Sequence, residues 1–241
     1  MRKKGYILII SILLFQFAHA QVSGYMGKKW LLIYDFHTFP CFTYPNQNGK
    51  TGYQYLNLKH TFSLEYALAR HLAVGTGVSL FKTDYNFTDI SYFYSNDNSV
   101  YYNYTPSNIG SMNVTAYDFY LKIFLHKNLA PLGSYIKLQA DYYNTNWSMD
   151  VSKGGGKPPL TPFPSTGSSK STGVSVSFGR QYIYWDHLVL NSSFQIGFVF
   201  KGSSTKAQYT TPAEFMNVVT TSRLFYHDLF NLNIGIGYLI F

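Results

Sequence analysis

Hydrophobic and polar residues alternate along most of this chain. In residues 117–126, apolar side chains stand at every second position, and Asp118, Lys122 and His126 are among the residues between them. Because successive side chains of a strand point to opposite faces, this period predicts a strand with one apolar face and one polar or mixed face. Eight such strands are predicted, at residues 28–43, 55–69, 72–84, 114–127, 134–149, 172–185, 187–202 and 227–241.

The gaps between these strands are alternately short and long. Most of the strands have 12 or more residues, whereas about 9–11 tilted residues suffice to cross a bilayer and soluble strands average about 5–6. Alternating gap length is typical of outer-membrane barrels. The pattern predicts an all-β fold, an eight-stranded antiparallel up-and-down transmembrane β-barrel with short periplasmic turns and long extracellular loops. The short gaps are 70–71, 128–133 and 186, and the long ones are 44–54, 85–113, 150–171 and 203–226.

The composition agrees with a protein that has one apolar and one polar surface. The 241 residues are 46% hydrophobic and 19% aromatic but only 12% charged, against about 25% charged residues in a typical soluble domain. The 23 Tyr and 20 Phe exclude a disordered chain. Outside the N-terminus there is no apolar run of the roughly 18 residues that a transmembrane helix needs. Lipid-facing side chains in place of a charged surface explain the low charge.

The N-terminus has the pattern of a secretory signal peptide. Residues 2–4 are basic, residues 6–17 are mostly apolar, and residues 18–20 read Ala-His-Ala, a small-x-small cleavage pattern. We therefore expect a signal peptide at 1–20 and a single barrel domain at 21–241. The alternative, an N-terminal membrane anchor, fits less well because the apolar run is short and leads into a cleavage pattern.

Charge and cysteine content exclude further classes. Removal of residues 1–20 takes three basic residues and no acidic one, so the net charge falls from +8 to +5. This mild excess does not indicate nucleic-acid binding. The single cysteine, Cys41, has no partner for an internal disulfide, and we expect it to be a small buried or lipid-facing residue.

The signal peptide, the eight alternating strands and the final Gly-Ile-Gly-Tyr-Leu-Ile-Phe of residues 235–241 resemble small outer-membrane β-barrel proteins of Gram-negative bacteria, the porin-like OmpX or OmpW kind. The resemblance implies export to the outer membrane. It also implies that Phe241 is the signal by which the outer-membrane assembly machinery recognises the chain.

The sequence does not decide which alternate residues of the last strand point outward. In the family's signal, outward positions count back in twos from the final aromatic residue. That frame gives Phe241, Leu239, Gly237 and Gly235, whereas the other frame gives Ile240, Tyr238, Ile236 and Ile234 and is at least as apolar.

The lumen of an eight-stranded barrel has room only for side chains or one small ligand. The alternation predicts a balanced inward set of four acids and four bases. A selective pore usually shows one sign at its constriction, whereas buried opposite charges form paired networks. We therefore predict a polar plug, with a narrow gated channel as the alternative. The predicted lumen network is Asp35, Lys59, Glu65, Asp118, Lys122, Lys137, Asp141 and Lys201.

Arg180 does not fit this alternation, which points its side chain at lipid. A β-bulge, snorkelling to the interface or a wrong frame would each explain it.

The long gaps carry the distinctive residues. Residues 85–113 are rich in Tyr and Asn, which suits either a binding loop or strand extensions and an aromatic girdle. Residues 151–172 contain lysines and no acid, which suits either lipopolysaccharide phosphates or a solvated loop. The Thr-Pro-Ala-Glu of residues 211–214 is a capping box and predicts a short helix near 212–221, over the barrel mouth or at the membrane surface.

No catalytic pattern emerges. His60 faces away from Ser63 and Glu65 on the same strand, and His227 is expected near the outer rim without an evident nucleophile. Two further histidines, His71 and His187, fall at short turns. No HExxH, metal-spaced Cys/His set or phosphate loop is present in the sequence. We expect no catalytic, cofactor-binding or metal-binding residues, and no cofactor.

These observations favour a non-catalytic barrel with a structural or interaction role through its extracellular loops. The alternatives are a narrow conduit for small or hydrophobic solutes and, less favoured, a lipid-modifying barrel enzyme. The expected partners are outer-membrane lipid and lipopolysaccharide, the assembly machinery, and envelope proteins that contact the loops. Nucleic acid is not expected.

Overall fold

Strands dominate the part of the chain that the structure describes. The computed structural model describes residues 25–41, 52–86, 92–94, 101–103, 109–125, 129–149, 166–200 and 212–240. The elements in these ranges are, in chain order, β1 (Trp30–Cys41), β2 (Gly52–Ala69), β3 (Leu72–Asn86), β4 (Tyr92–Tyr94), β5 (Tyr101–Asn103), β6 (Ile109–Phe124), β7 (Gly133–Met149), β8 (Thr166–Tyr184), β9 (Leu188–Phe200), α1 (Pro212–Asp228) and β10 (Asn231–Ile240).

Eight of these strands form a closed barrel in the order β1-β10-β9-β8-β7-β6-β3-β2. Every neighbouring pair is antiparallel, and β1 closes the ring by pairing with β10 from Trp30↔Ile240 to Thr38↔Leu232. The two short strands β4 and β5 pair only with each other. The predicted fold class, an all-β eight-stranded antiparallel up-and-down barrel, is confirmed. None of the helical structure in the described ranges is long and apolar enough to cross a membrane.

Three strand boundaries differ from the prediction by more than three residues. β6 begins at Ile109 and β8 at Thr166, inside segments that were predicted to be loops. The residues added to β8 are polar or small on both faces, so the hydrophobic period fades although the backbone ladder continues to Ser148↔Thr166. β10 begins at Asn231 rather than at residue 227, because the preceding residues are helical.

The exterior of the barrel is apolar and its interior is polar, the reverse of a soluble domain. The outward side chains on every barrel strand form an apolar band; on β10, for example, Ile234 is 71% exposed, while Asn233 on the same strand is 3% exposed. Members of this band include Leu32, Phe62, Leu64, Val78, Leu80, Tyr117, Phe119, Leu138, Val174, Phe178, Phe198, Leu232, Ile234 and Ile236.

Aromatic residues collect on the outside near the short-turn end, the end at which β2 joins β3 and β8 joins β9. Trp30 lies against Tyr66 with ring centroids 4.7 Å apart, and Tyr184 and Trp185 are exposed. Arg180 also points outward here, and its guanidinium carbon Cζ lies 4.8 Å from the centre of the Tyr182 ring. Its outward direction therefore fits an interfacial position, in which the guanidinium snorkels along an aromatic ring.

The structure also decides how the last strand faces. Ile234, Ile236 and Tyr238 point outward, while Gly237 and Leu239 point into the barrel. The frame that counts back from Phe241 is therefore the inward one. Phe241 itself lies outside the described residues, as do the predicted signal peptide and Lys201.

The barrel interior as the candidate functional site

Helix α1 lies in the barrel at its outer end, the end opposite the short turns. β10 reaches only to Asn231, where it pairs with Gln195, so residues 196–200 of β9 have no β10 partner. α1 packs against β8 and β9 at this level. The ring of Phe225 lies 6.2 Å from that of outward-facing Phe198. One side of α1 thus completes the wall above β10, and the other side faces the lumen.

The helix predicted at 212–221 is confirmed, but it continues to Asp228. It was expected over the barrel mouth or at the membrane surface, whereas its inner face is buried inside the barrel. Met216 and Leu224 are fully buried in a cluster that reaches across β3, β6, β7 and β9. The strand members of that cluster are Phe81, Met112, Val114, Ala116, Tyr143, Trp147 and Val199.

Hydroxyl groups tie the middle of α1 to β8. The Oγ1 of Thr220 is 2.7 Å from the Oγ of Ser169, and Thr221 donates to Ser171 at 3.5 Å. These side chains are buried, so their pairing removes the penalty of unsatisfied polar groups.

Asp228, the last residue of α1, is the centre of a buried charge cluster. Lys59 of β2 donates to Oδ1 at 3.2 Å, and both side chains are no more than 2% exposed. The Tyr143 hydroxyl of β7 donates to Oδ2, and Nδ1 of His227 is 3.4 Å from Oδ1. The carboxylate thus joins the helix to two separate parts of the barrel wall.

Arg223 makes a second attachment, to β3. Its Nε donates to the backbone carbonyl of Asp84 at 3.0 Å, and its guanidinium also donates to the hydroxyl of Thr83. The hydroxyl of Thr83 donates in turn to Asn57 of β2 at 3.1 Å. Arg223 is 2% exposed, so its charge is held inside the barrel.

A second ion pair lies nearer the short-turn end. Lys122 of β6 donates to the Glu65 carboxylate of β2, to which the Tyr120 hydroxyl also donates at 3.5 Å. The Lys122 ammonium lies 4.4 Å from the centre of the Tyr135 ring, within the range of a cation–π contact.

The remaining predicted lumen residues are also buried inside the barrel. Asn191 donates to Asp35 at 2.7 Å, and Gln139 donates to Asp141 at 2.6 Å. The Lys137 ammonium lies 5.1 Å from the centre of the Tyr120 ring. Seven of the eight predicted residues therefore lie inside, and Lys201 is outside the described ranges. The seven are Asp35, Lys59, Glu65, Asp118, Lys122, Lys137 and Asp141.

Two apolar clusters occupy the interior at the short-turn end. One contains Leu31, Ile33, Val189 and Leu239. The other contains Ala67, Ala73, Phe124, Ala130 and Tyr135. The described interior therefore has three layers. Apolar side chains lie at the short-turn end, the charged networks lie next to them, and α1 lies at the outer end.

Arg223 and Asp228 are interior residues that the strand pattern does not predict, because it assigns residues 203–226 to an extracellular loop and begins a strand at residue 227. The missed signal is a helical spacing that extends beyond the capping box. Met216, Thr220, Arg223 and His227 recur every three or four residues, which places them on one helical face.

The histidines do not form a catalytic arrangement in the described residues. His60 points outward and hydrogen-bonds the Tyr34 hydroxyl at 2.7 Å. His227, which was expected near the outer rim, belongs to α1 and is fully buried inside the barrel. Its ring centroid lies 3.6 Å from that of Phe39 and 3.8 Å from that of Phe81.

Metal-binding geometry is likewise not found in the described ranges, where no group of three or more His, Cys, Asp or Glu side chains could hold a metal ion.

Comparison with known proteins gives a likeness of fold. No protein-family model and no curated protein sequence matches the chain. Among solved structures, it is similar to neisserial surface protein A, with 11% identity over 88% of this chain and 96% of that one and a TM-score of 0.42. It is also similar to the outer membrane protein OprG from Pseudomonas aeruginosa, with 11% identity over 88% and 96% and a TM-score of 0.40.

A third similar structure is Ail, the attachment invasion locus protein of Yersinia pestis. The identity is 11% over 88% of this chain and 99% of that one, with a TM-score of 0.38. At these values the similarity concerns the arrangement of strands and says nothing about activity.

Proposed function

We propose that this protein is a non-catalytic outer-membrane barrel with a closed lumen, which acts through its extracellular loops. The observation that carries the proposal is the placement of α1 inside the barrel wall, where Asp228 pairs with Lys59 and Arg223 bonds to β3. A solute pathway would have to displace this helix together with its buried ion pair.

Placement in a membrane is supported by the surface of the barrel. Outward side chains such as Phe119 and Ile234 are 62% and 71% exposed, and an apolar band of this kind is unfavourable in water. Because the ring is closed, each barrel strand pairs with two neighbours along most of the apolar band. Helix α1 packs against β9, whose residues 196–200 have no β10 partner. The signal peptide expected at 1–20 would supply export to the outer membrane.

Closure of the lumen is supported by what fills it. An eight-stranded barrel is narrow, and its interior here contains the Glu65–Lys122 pair in addition to α1. Buried pairs of opposite sign hold each other in place, because separating them leaves an uncompensated charge.

The interaction role falls to the connections at the outer end. One of them, between β3 and β6, carries the β4–β5 hairpin. We infer that these connections contact lipopolysaccharide or other envelope proteins, and that Phe241 is recognised by the outer-membrane assembly machinery.

Solute release from proteoliposomes tests the proposal. Purified protein is inserted into vesicles loaded with potassium chloride or a small sugar, and a heat-denatured sample is the control for insertion damage. We expect release no faster than from protein-free vesicles. Rapid release in the folded sample would favour the alternative, a narrow conduit for small or hydrophobic solutes.

A lipid-modifying enzyme makes a different prediction. It would show turnover of membrane lipid that is lost on His227→Ala. We expect no such turnover from the folded protein.

A further inference from the structure

The barrel wall has an open seam between β2 and β3 at the outer end. Pairing between these strands starts near Ala69↔Leu72 and stops at Lys59↔Phe81. Beyond that point β2 still pairs with β1 as far as Cys41↔Gly52, and β3 still pairs with β6 as far as Asn86↔Ile109. Each strand therefore keeps one partner and turns its other edge toward the seam.

A groove of about 390 Å³ lies on the barrel at this seam. This volume lies within the range of about 300–1,000 Å³ that is usual for small-molecule sites. Its lining residues come from β2, β3, β6 and β7 and include no acidic side chain. They are Leu58, His60, Leu80, Phe81, Lys82, Asn113, Val114, Thr115 and Asn146.

The outward residues of the groove change from apolar to polar along the barrel. Lys82 pairs in register with Asn113, which pairs with Asn146, so three exposed polar side chains form one row across β3, β6 and β7. Toward the short-turn end, this row is followed by Leu80 of β3, which is 45% exposed and pairs in register with His60 of β2. Leu58 of β2 is half-buried and also lines the groove. The polar row therefore marks the boundary between apolar band and aqueous surface.

On the inner side of the seam lies Arg223 of α1. Its Nε donates to the Asp84 carbonyl at 3.0 Å, and the side-chain bond from Thr83 to Asn57 spans β3 and β2 at 3.1 Å. These contacts fill the interior behind the seam, so the groove is approached from the membrane side.

We propose that this groove binds a phosphate-bearing lipid of the outer leaflet. The Lys82 ammonium pairs with the phosphate, the amides of Asn113 and Asn146 donate to its oxygens, and an acyl chain lies along Leu80 and Leu58. Charge complementarity supports this occupant, because the groove contains a lysine and no acid. The inference rests on the membrane placement proposed above.

Native mass spectrometry of the full chain in detergent micelles tests this site. The probes are phosphatidylglycerol and diacylglycerol with identical acyl chains, which differ in the phosphate headgroup. Three variants are compared with the unmodified protein. Lys82→Gln removes the charge, Leu58→Trp fills the apolar part of the groove, and Lys170→Gln removes an exposed lysine of β8 that does not line the groove.

We expect one phosphatidylglycerol to bind about tenfold more tightly than diacylglycerol. This ratio of dissociation constants corresponds to roughly one charge-assisted hydrogen bond to the phosphate. We expect Lys82→Gln to abolish this preference and Leu58→Trp to weaken the binding of both lipids. Lys170→Gln should change neither the preference nor the binding. An equal loss in Lys170→Gln, or no loss in Lys82→Gln, would overturn the proposal. Displacement of phosphatidylglycerol by millimolar inorganic phosphate would show that free phosphate, not lipid, is the ligand.

Insertion into phosphatidylcholine vesicles is measured in parallel. Failure of the unmodified protein to insert would refute the membrane placement, whereas insertion without Lys82-dependent binding refutes the groove alone.

Discussion

The buried pair between Lys59 and Asp228 gives the sharpest prediction about how α1 is held. Lys59→Met removes the ammonium and keeps an unbranched side chain of similar length. The Asp228 carboxylate then stays buried with Tyr143 and His227 as its contacts. We expect this variant to lose stability because a buried charge has lost its counter-charge.

The size of this loss in stability follows from the burial of Lys59 and Asp228. The two groups are 3.2 Å apart and at most 2% exposed, so the pair belongs to the buried class, for which loss of one partner costs about 3–5 kcal/mol. Because Tyr143 still donates to the carboxylate, we expect the lower end, about 3 kcal/mol. At about 1.4 kcal/mol per decade, the unfolding equilibrium shifts by roughly a hundredfold.

Urea unfolding in detergent micelles measures this free energy. Asp228→Asn and the double variant complete a double-mutant cycle, in which the double variant should lose at least about 1 kcal/mol less than the sum of the single losses. Lys170→Met is the matched control, an exposed lysine whose replacement should change stability by less than about 0.5 kcal/mol. Additive losses, or a Lys59→Met effect no larger than that of the control, would refute the reasoning.

Two further predictions concern the wall. Ile236→Arg places a charge on the apolar exterior and should cost about 2–4 kcal/mol of folding free energy in vesicles. Asn146→Arg, in the polar row, is the control and should cost at most about 1 kcal/mol. Equal costs for the two variants would contradict the membrane placement. Gly75→Val should cost about 1–3 kcal/mol, because a Cβ at Gly75 would lie 2.3 Å from Cζ of the Tyr120 ring. Adding Tyr120→Ala should recover part of that loss in urea unfolding, and a fully additive double variant would contradict the steric explanation.

The barrel could be predicted from the sequence because its apolar exterior and its polar interior require opposite side chains at alternate positions. Where both demands act, as in β7 and β9, the period of two is clear and the predicted bounds lie close to the observed ones. Where a strand rises above the apolar band, as in the Thr-Gly-Ser-Ser-Lys-Ser start of β8, the outward face meets water and the period disappears.

The interior was harder to predict because α1 is held by contacts with distant strands. Its capping box indicates where it begins, but its end at Asp228 depends on Lys59, which lies 169 residues earlier in the chain. The seam between β2 and β3 is also not visible in the sequence, since alternation specifies which way a side chain faces and not where a ladder stops.

Planar-bilayer recording of the unmodified protein tests the central claim, a lumen closed by α1, most directly. After insertion of the folded barrel, we predict no steady open-channel current at any moderate voltage, because the helix and its ion pair with Lys59 fill the outer part of the lumen. Steady, long-lived open-channel currents from the folded protein would contradict the account.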